Sequence, residues 1–346
     1  MNQKKHTFRN LIIFIALIIL TFHFIFKNQN FQNIYDIVIN ANKLYILIAI
    51  LLMFIYLSLD ALNLKRTLSA LNEKVSYIKI LKISFIGFFF SGITPAASGG
   101  QPMQIYYMHK DKVSVANSTL ALLINLFSMQ VITITMALVS ICFNYKALDV
   151  GLMIFFIIGI FLNSCALLLL MAGIFSKSLS KSLINFAIKI LRKFKLKNIN
   201  NIEENLEKSL EKYNGSSDYI KSHKELLPRT FIITLVQFLC YYAITYCVYR
   251  SLGLVGKNIM QIIGMQSVLF ATVSGIPSPG AVGVSEAAYI GIFKTVIPTN
   301  MIDSAMLLSR GINFYLFMLI SGFIVIINSL FIKRKEEKIE IKEIDE

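Results

Sequence analysis

The chain has 346 residues, 56% of them hydrophobic and only 15% charged, and its mean hydropathy is +0.66. That balance excludes an ordinary soluble domain, in which about a quarter of the residues are charged. A net charge of +15 would suit nucleic-acid binding in a soluble protein, but in a membrane protein it raises a different question, on which side the Lys and Arg lie. No nucleic-acid partner is expected.

In chain order, Lys4, Lys5 and Arg9 precede an apolar run from Leu11 to Phe26. No small-residue cleavage site comes before Lys27, so the run reads as an uncleaved first span. Leu44 to Leu62 forms a second span, with Asp60 near its end and Lys65 and Arg66 just beyond. The next apolar stretch, Ile83 to Ile93, has 11 residues, whereas a crossing helix needs about 20. It runs into Ser91–Met108, SGITPAASGGQPMQIYYM. Pro95 and Pro102 lack an amide donor and Gly99 and Gly100 disfavour helix, so the backbone should break here and restart at Pro102, a favoured first-turn position.

Val115–Cys142 and Val150–Phe175 are full spans joined by a short loop. Between Ser176 and Arg229 lie 12 Lys or Arg and six Asp or Glu with no long apolar run. Leu183, Ala187, Ile190, Leu191 and Phe194 share one face there, which suits a helix lying on anionic lipid or an ordinary basic helix. Asn200 to Lys224 reads as a solvated charged helix interrupted at Asn214-Gly215. Thr230–Arg250 spans again, Asn258–Gly275 and Val284–Ile297 are the arms of a second broken element, and Ser304–Ile332 is the last span.

The second break, SGIPSPGAVGVSEAAY from Ser274 to Tyr289, repeats the order of the first. Paired broken helices in two membrane halves point to a substrate site near mid-membrane. The expected fold is therefore an all-α polytopic helical bundle with about six full spans and two re-entrant elements in an inverted repeat, or about eight spans if each element crosses. Its parts are a first membrane half over 1–175 with a break near 83–108, a basic loop over 176–229, a second half over 230–332 with a break near 258–297, and a tail over 333–346. With both termini cytoplasmic, 27 Lys and Arg fall inside and six outside, Arg310 lying within the last span. The positive-inside rule favours that orientation in a cell inner (plasma) membrane.

The residues that could hold a lipid headgroup follow from the same reading. Backbone amides at a helix start suit a phosphate without a buried full charge. Gly99, Gly100 and Gln101, with Gln104 behind them, lead into one such start, and Gly280, Gly283 and Ser285 lead into the other. The alternative is that these glycines serve close helix packing. Glu286 and Arg310 are the charges deepest in apolar sequence, so they either pair with each other or face a wet cavity. Asp60 is either an interfacial carboxylate near Lys65 and Arg66 or a cavity residue. Gln237 donates into a cavity or to a neighbouring helix. Cys142, Cys165, Cys240 and Cys247 sit in apolar runs and the four His are scattered, so no metal site and no cofactor are expected. The polar residues include no nucleophile beside a base, so no catalytic residue is assigned.

TPAASGGQPMQIYYM, GIPSPGAVGVSEAA and the Arg within LLSRGINFYLF together resemble the lysylphosphatidylglycerol synthase transmembrane family, over nearly the whole chain. The resemblance implies a flippase-like transporter of an anionic or aminoacylated phospholipid, such as phosphatidylglycerol or its lysyl ester, or of a lipid-linked sugar, and protection from cationic peptides. Relatives tend to have an acid at the position of Asp60, so the resemblance also implies a cavity role for it. A membrane subunit of a phosphatidylglycerol lysyltransferase is the alternative, with a separate aminoacyltransferase or a homo-oligomer as partner; the catalytic domain itself is expected to be absent. Many members have Arg where this chain has Ser285 and a charge where it has Gln101 and Gln104, which leaves the headgroup open.

Overall fold

The computed structural model describes residues 31–329 apart from 146–147, 179–180, 183–184, 186–188, 190–198, 223–224 and 277–278. The expected first span, the apolar stripe of the basic loop and the tail lie outside the described residues. Within them the helices are α1 (Phe31–Asn40), α2 (Lys43–Ala70), α3 (Tyr77–Ile93), α4 (Gly100–Lys110), α5 (Val115–Asn144), α6 (Val150–Phe175), α7 (Ile199–Ser222), α8 (Leu226–Ser251), α9 (Ile259–Val273), α10 (Val284–Phe293) and α11 (Ile302–Ser329). No strand occurs among the described residues. Among the described residues five helices, α2, α5, α6, α8 and α11, are long and apolar enough to cross a membrane.

Both breaks form as hairpins. Arm α3 packs on α4 and arm α9 packs on α10, and each pair is joined by a single 3₁₀ turn, Pro95–Ala97 or Pro279–Ala281. The two turns pack against each other. Three spans, α5, α6 and α8, separate the hairpins in sequence, and an odd number of crossings makes them enter from opposite faces. The turns also share an unusual backbone: Ala96 and Ala97 have φ of 50° and 54°, and Gly280 and Ala281 have φ of 58° and 52°. Left-handed alanine is disfavoured by about 1–2 kcal/mol, so the surrounding packing must hold both tips in place.

A break inside a bilayer frees backbone groups that no water satisfies. At the first, Thr94 Oγ1 donates to Phe90 O at 2.6 Å and accepts from Gly99 N at 2.9 Å. At the second, Asn163 of α6 donates through Nδ2 to Ala271 O at 3.2 Å and Ser274 Oγ at 3.0 Å, while Gln130 of α5 donates to Asn163 Oδ1 at 2.9 Å. Gly159 makes that contact possible, because a Cβ there would press into the Ala271 carbonyl and Thr272 backbone.

Two expectations change here. Helix α7 runs unbroken through Asn214-Gly215, and one of its faces is docked rather than solvated. Tyr213 Oη donates to Gly173 O at 2.7 Å, Ser217 Oγ to Ile174 O at 2.5 Å and Lys221 Nζ to Phe175 O at 3.1 Å. These side chains, one turn apart, satisfy the last carbonyls of α6 and set a cation at its negative end. Burial raises the Tyr213 hydroxyl to about 12, so it remains a donor at any physiological pH. At the opposite face Asp149 caps α6 through Leu152 N at 2.9 Å and meets Lys294 at 3.3 Å. The amide of Leu152, then Lys294, hold its carboxyl below the usual range.

A cavity between the two broken helices

The hairpin tips, α2, α5, α6, α8 and α11 enclose a cavity of about 660 Å³. Of the sequence-derived candidates, Asp60, Gln101, Gln104, Gly280, Ser285 and Arg310 line it; Gly99, Gly100, Gly283, Glu286 and Gln237 do not. The cavity is open where its lining is exposed, along Leu169 of α6, 68% exposed, and the first tip, Ala96–Ser98.

Arg310 and Glu286 do pair. Nε donates to Glu286 Oε1 at 2.8 Å, and both residues are only 8% exposed. Nη2 donates to Gly280 O at 2.9 Å, which ties the last span to the second tip, and the guanidinium lies 4.5 Å from the Phe314 ring centre. The guanidinium also lines the cavity. Glu286 also accepts from Tyr315 Oη at 3.2 Å and, through Oε2, from Gly283 N at 2.5 Å. An anion of the protein's own thus occupies the start of α10. At the α4 start the Gly99 amide is bonded to Thr94 Oγ1 instead, so the two helix starts are not the symmetric pair expected from the motifs. Just after Arg310 the helix widens into a π turn over Gly311–Leu316, which turns Asn313 and Phe314 toward the cavity. Such turns recur at functional sites.

Asp60 lies well inside α2, which continues to Ala70, and makes no ion pair with Lys65 or Arg66. Its Oδ2 accepts from Ser84 Oγ at 2.6 Å and its Oδ1 from Asn125 Nδ2 at 2.7 Å. Gln237 is wholly buried beside Tyr56 and Asp60, outside hydrogen-bond geometry to either.

The glycines of the first motif serve packing. A Cβ on Gly100 would collide with Ser91 Oγ and lie 2.9 Å from Gly87 O, and one on Gly99 would lie 2.7 Å from Thr94 Cγ2. Gly87, which the motif reading passed over, leaves the space that the Gln104 side chain fills. Also missed were Asn125, Gln130, Asn163 and Asn313, all in the cavity lining. Each is an amide inside an otherwise apolar span, and that pattern alone marks it as a helix-contact or cavity residue.

The fold and this cavity define a polytopic helical membrane protein with a polar chamber enclosed by inverted broken helices. The family described as "Lysylphosphatidylglycerol synthase TM region" matches residues 10–321, and the chain belongs to it. It is similar to a UPF0104 membrane protein of Pyrococcus horikoshii, at 24% identity over 84% of this chain and 89% of the relative. A UPF0104 membrane protein of Archaeoglobus fulgidus is 23% identical over 90% of this chain and 95% of its own length.

Proposed function

We propose that the protein moves a phospholipid with an anionic or aminoacylated headgroup between the leaflets of the plasma membrane. The observation that carries this reading is the cavity of about 660 Å³ at the meeting of the two hairpin tips, open beside Leu169. A headgroup must replace its water before it can cross about 30 Å of hydrocarbon. The Arg310 guanidinium and Gln101, both in the cavity lining, offer donors to a phosphate, and the open side lets the acyl chains stay in lipid. The family's name adds the lipid class. It describes the transmembrane region of the synthase, and the proposal concerns translocation by that region, with no lysyl transfer assigned to it.

Proteoliposomes carrying fluorescent phosphatidylglycerol in both leaflets provide the test. With the protein present, an impermeant quencher should reach nearly all of the dye, against about half in empty vesicles, because only the outer leaflet is otherwise accessible. Gln101→Leu should slow the exchange with little change in melting, since Gln101 is only half-buried. Identical quenching in empty and loaded vesicles would end the proposal.

Both termini and α7 are proposed to be cytoplasmic. Ser217 is buried against Ile174 and unsuited to labelling, so the probe belongs at exposed Glu211. In intact cells, Glu211→Cys should resist an impermeant maleimide and react after permeabilisation. Reaction from outside would invert the orientation.

A further inference from the structure

Among the described residues, two charges of opposite sign line the cavity, and only one has a counter-charge. Glu286 neutralises Arg310, while Asp60 has only the neutral donors Ser84 and Asn125. Among the described residues, the other elements packed on α2 offer it no cation. On α3, Lys79 is engaged by Asp111 at 3.0 Å and Lys82 by Asn328 at 2.8 Å. Helix α5 holds no charged residue. Helix α8 carries Arg229 and Arg250 near its two ends, and between them presents Tyr241, whose ring lies tilted at 5.0 Å from that of Tyr56 of α2. On α11, Arg310 is committed to Glu286 and Gly280. Lys65 and Arg66 follow Asp60 on its own helix and form no ion pair with it.

A carboxylate at membrane depth without a cation is costly when ionised and inexpensive when protonated. The Ser84 hydroxyl suits both forms, since it can donate to a carboxylate or accept from a carboxylic acid. Asn125 supplies a second orphan: its Oδ1 is buried without a hydrogen bond, on a side chain that lines the cavity. Gln237, wholly buried alongside, has neither amide atom paired.

We infer that Asp60 is a proton-binding site that couples the cavity to the pH difference across the membrane. The inference rests on the transport reading for its role, not for its chemistry. In the step, one carboxylate oxygen of Asp60 takes a proton from hydronium in the cavity, the hydronium O–H breaking to leave water as the carboxyl O–H forms, and the carboxyl O–H then breaks as the proton passes to water on the other face when the cavity opens there. No electron transfer and no other bond change is involved. Protonation removes the negative charge that shares the chamber with an anionic headgroup. Headgroup and proton therefore strengthen each other's binding by the same factor, as linkage requires.

The test is labelling of the full chain in nanodiscs by dicyclohexylcarbodiimide, which attacks protonated carboxyl groups in apolar surroundings, followed by peptide mapping. Asp60 should be modified, and Glu286, whose oxygens are enclosed by Arg310, Tyr315 and the Gly283 amide, should not. Labelling should fall about tenfold or more between about pH 5 and about pH 9, the range in which buried carboxyls lose their protons. Asp60→Asn should abolish it and Asp60→Glu restore it. No adduct at Asp60 at any pH would overturn the inference, as would suppression by sodium but not potassium at fixed pH, which would make this a metal-cation site. In proteoliposomes with fluorescent phosphatidylglycerol, an imposed pH gradient should speed translocation several-fold in the wild type and not in Asp60→Asn. A gradient without effect on an active wild type would overturn the coupling. Absence of translocation under every condition, with labelling intact, would instead reject the transport reading and leave the proton site in place.

Discussion

Arg310→Met is expected to lower the stability of the detergent-solubilised protein by about 3–5 kcal/mol, the usual cost of leaving one half of a buried pair alone. Glu286, only 8% exposed, would keep Tyr315, Ser285 and the Gly283 amide as donors but lose its counter-charge. The loss would spread, because the same guanidinium holds the second tip through Gly280 O and lies over Phe314. Glu286→Gln should also destabilise, by freeing the start of α10 and exposing an uncompensated Arg310. The double change should cost less than the two single changes together, with a coupling of about 0.5–3 kcal/mol. Strict additivity in a melting series would mean that the contact does not form in the membrane protein in solution. Arg310→Lys should recover part of the charge term but lose the fork that reaches Glu286 and Gly280 together.

Gly100→Val should be the second large effect, and it should act on folding and transport together. The branched side chain would enter space already held by Ser91 Oγ and the Gly87 carbonyl. Overpacking of this kind costs about 1–3 kcal/mol, and here it would also push apart arms α3 and α4, which position Gln101 and the tip at Ala96–Ala97. A lower melting temperature accompanied by slower lipid exchange is the expected result. Ser91→Ala should relieve part of the clash, whereas the backbone contact with Gly87 would remain. Unchanged melting with lost exchange would return Gly100 to the substrate path.

What the sequence determined by itself is local or cumulative along the chain. Apolar run length set the spans from Val115, Val150 and Thr230 to within a few residues, because hydrocarbon thickness constrains length directly. Prolines with glycines marked both breaks, since missing amide donors act wherever the residue sits. The opposite charges of Glu286 and Arg310, each costly alone, made their pairing one of two open readings.

Tertiary structure decided everything that depends on the register between remote segments. Asp60 meets Asn125 and Ser84 only once α2, α3 and α5 are packed, and nothing near Asp60 in sequence announces it. The same holds for Asn163, whose reach to Ala271 depends on how closely α6 and α9 approach at Gly159. Gly100 had two local readings, amide exposure or close packing, and only the position of Ser91 on the opposing arm shows how tightly it packs. The face of α7 that caps α6 was hidden for a related reason. Its charged composition describes the helix as a whole, whereas docking depends on Tyr213, Ser217 and Lys221 meeting carbonyls about 40 residues earlier in the chain, left free because a helix cannot satisfy its own last turn.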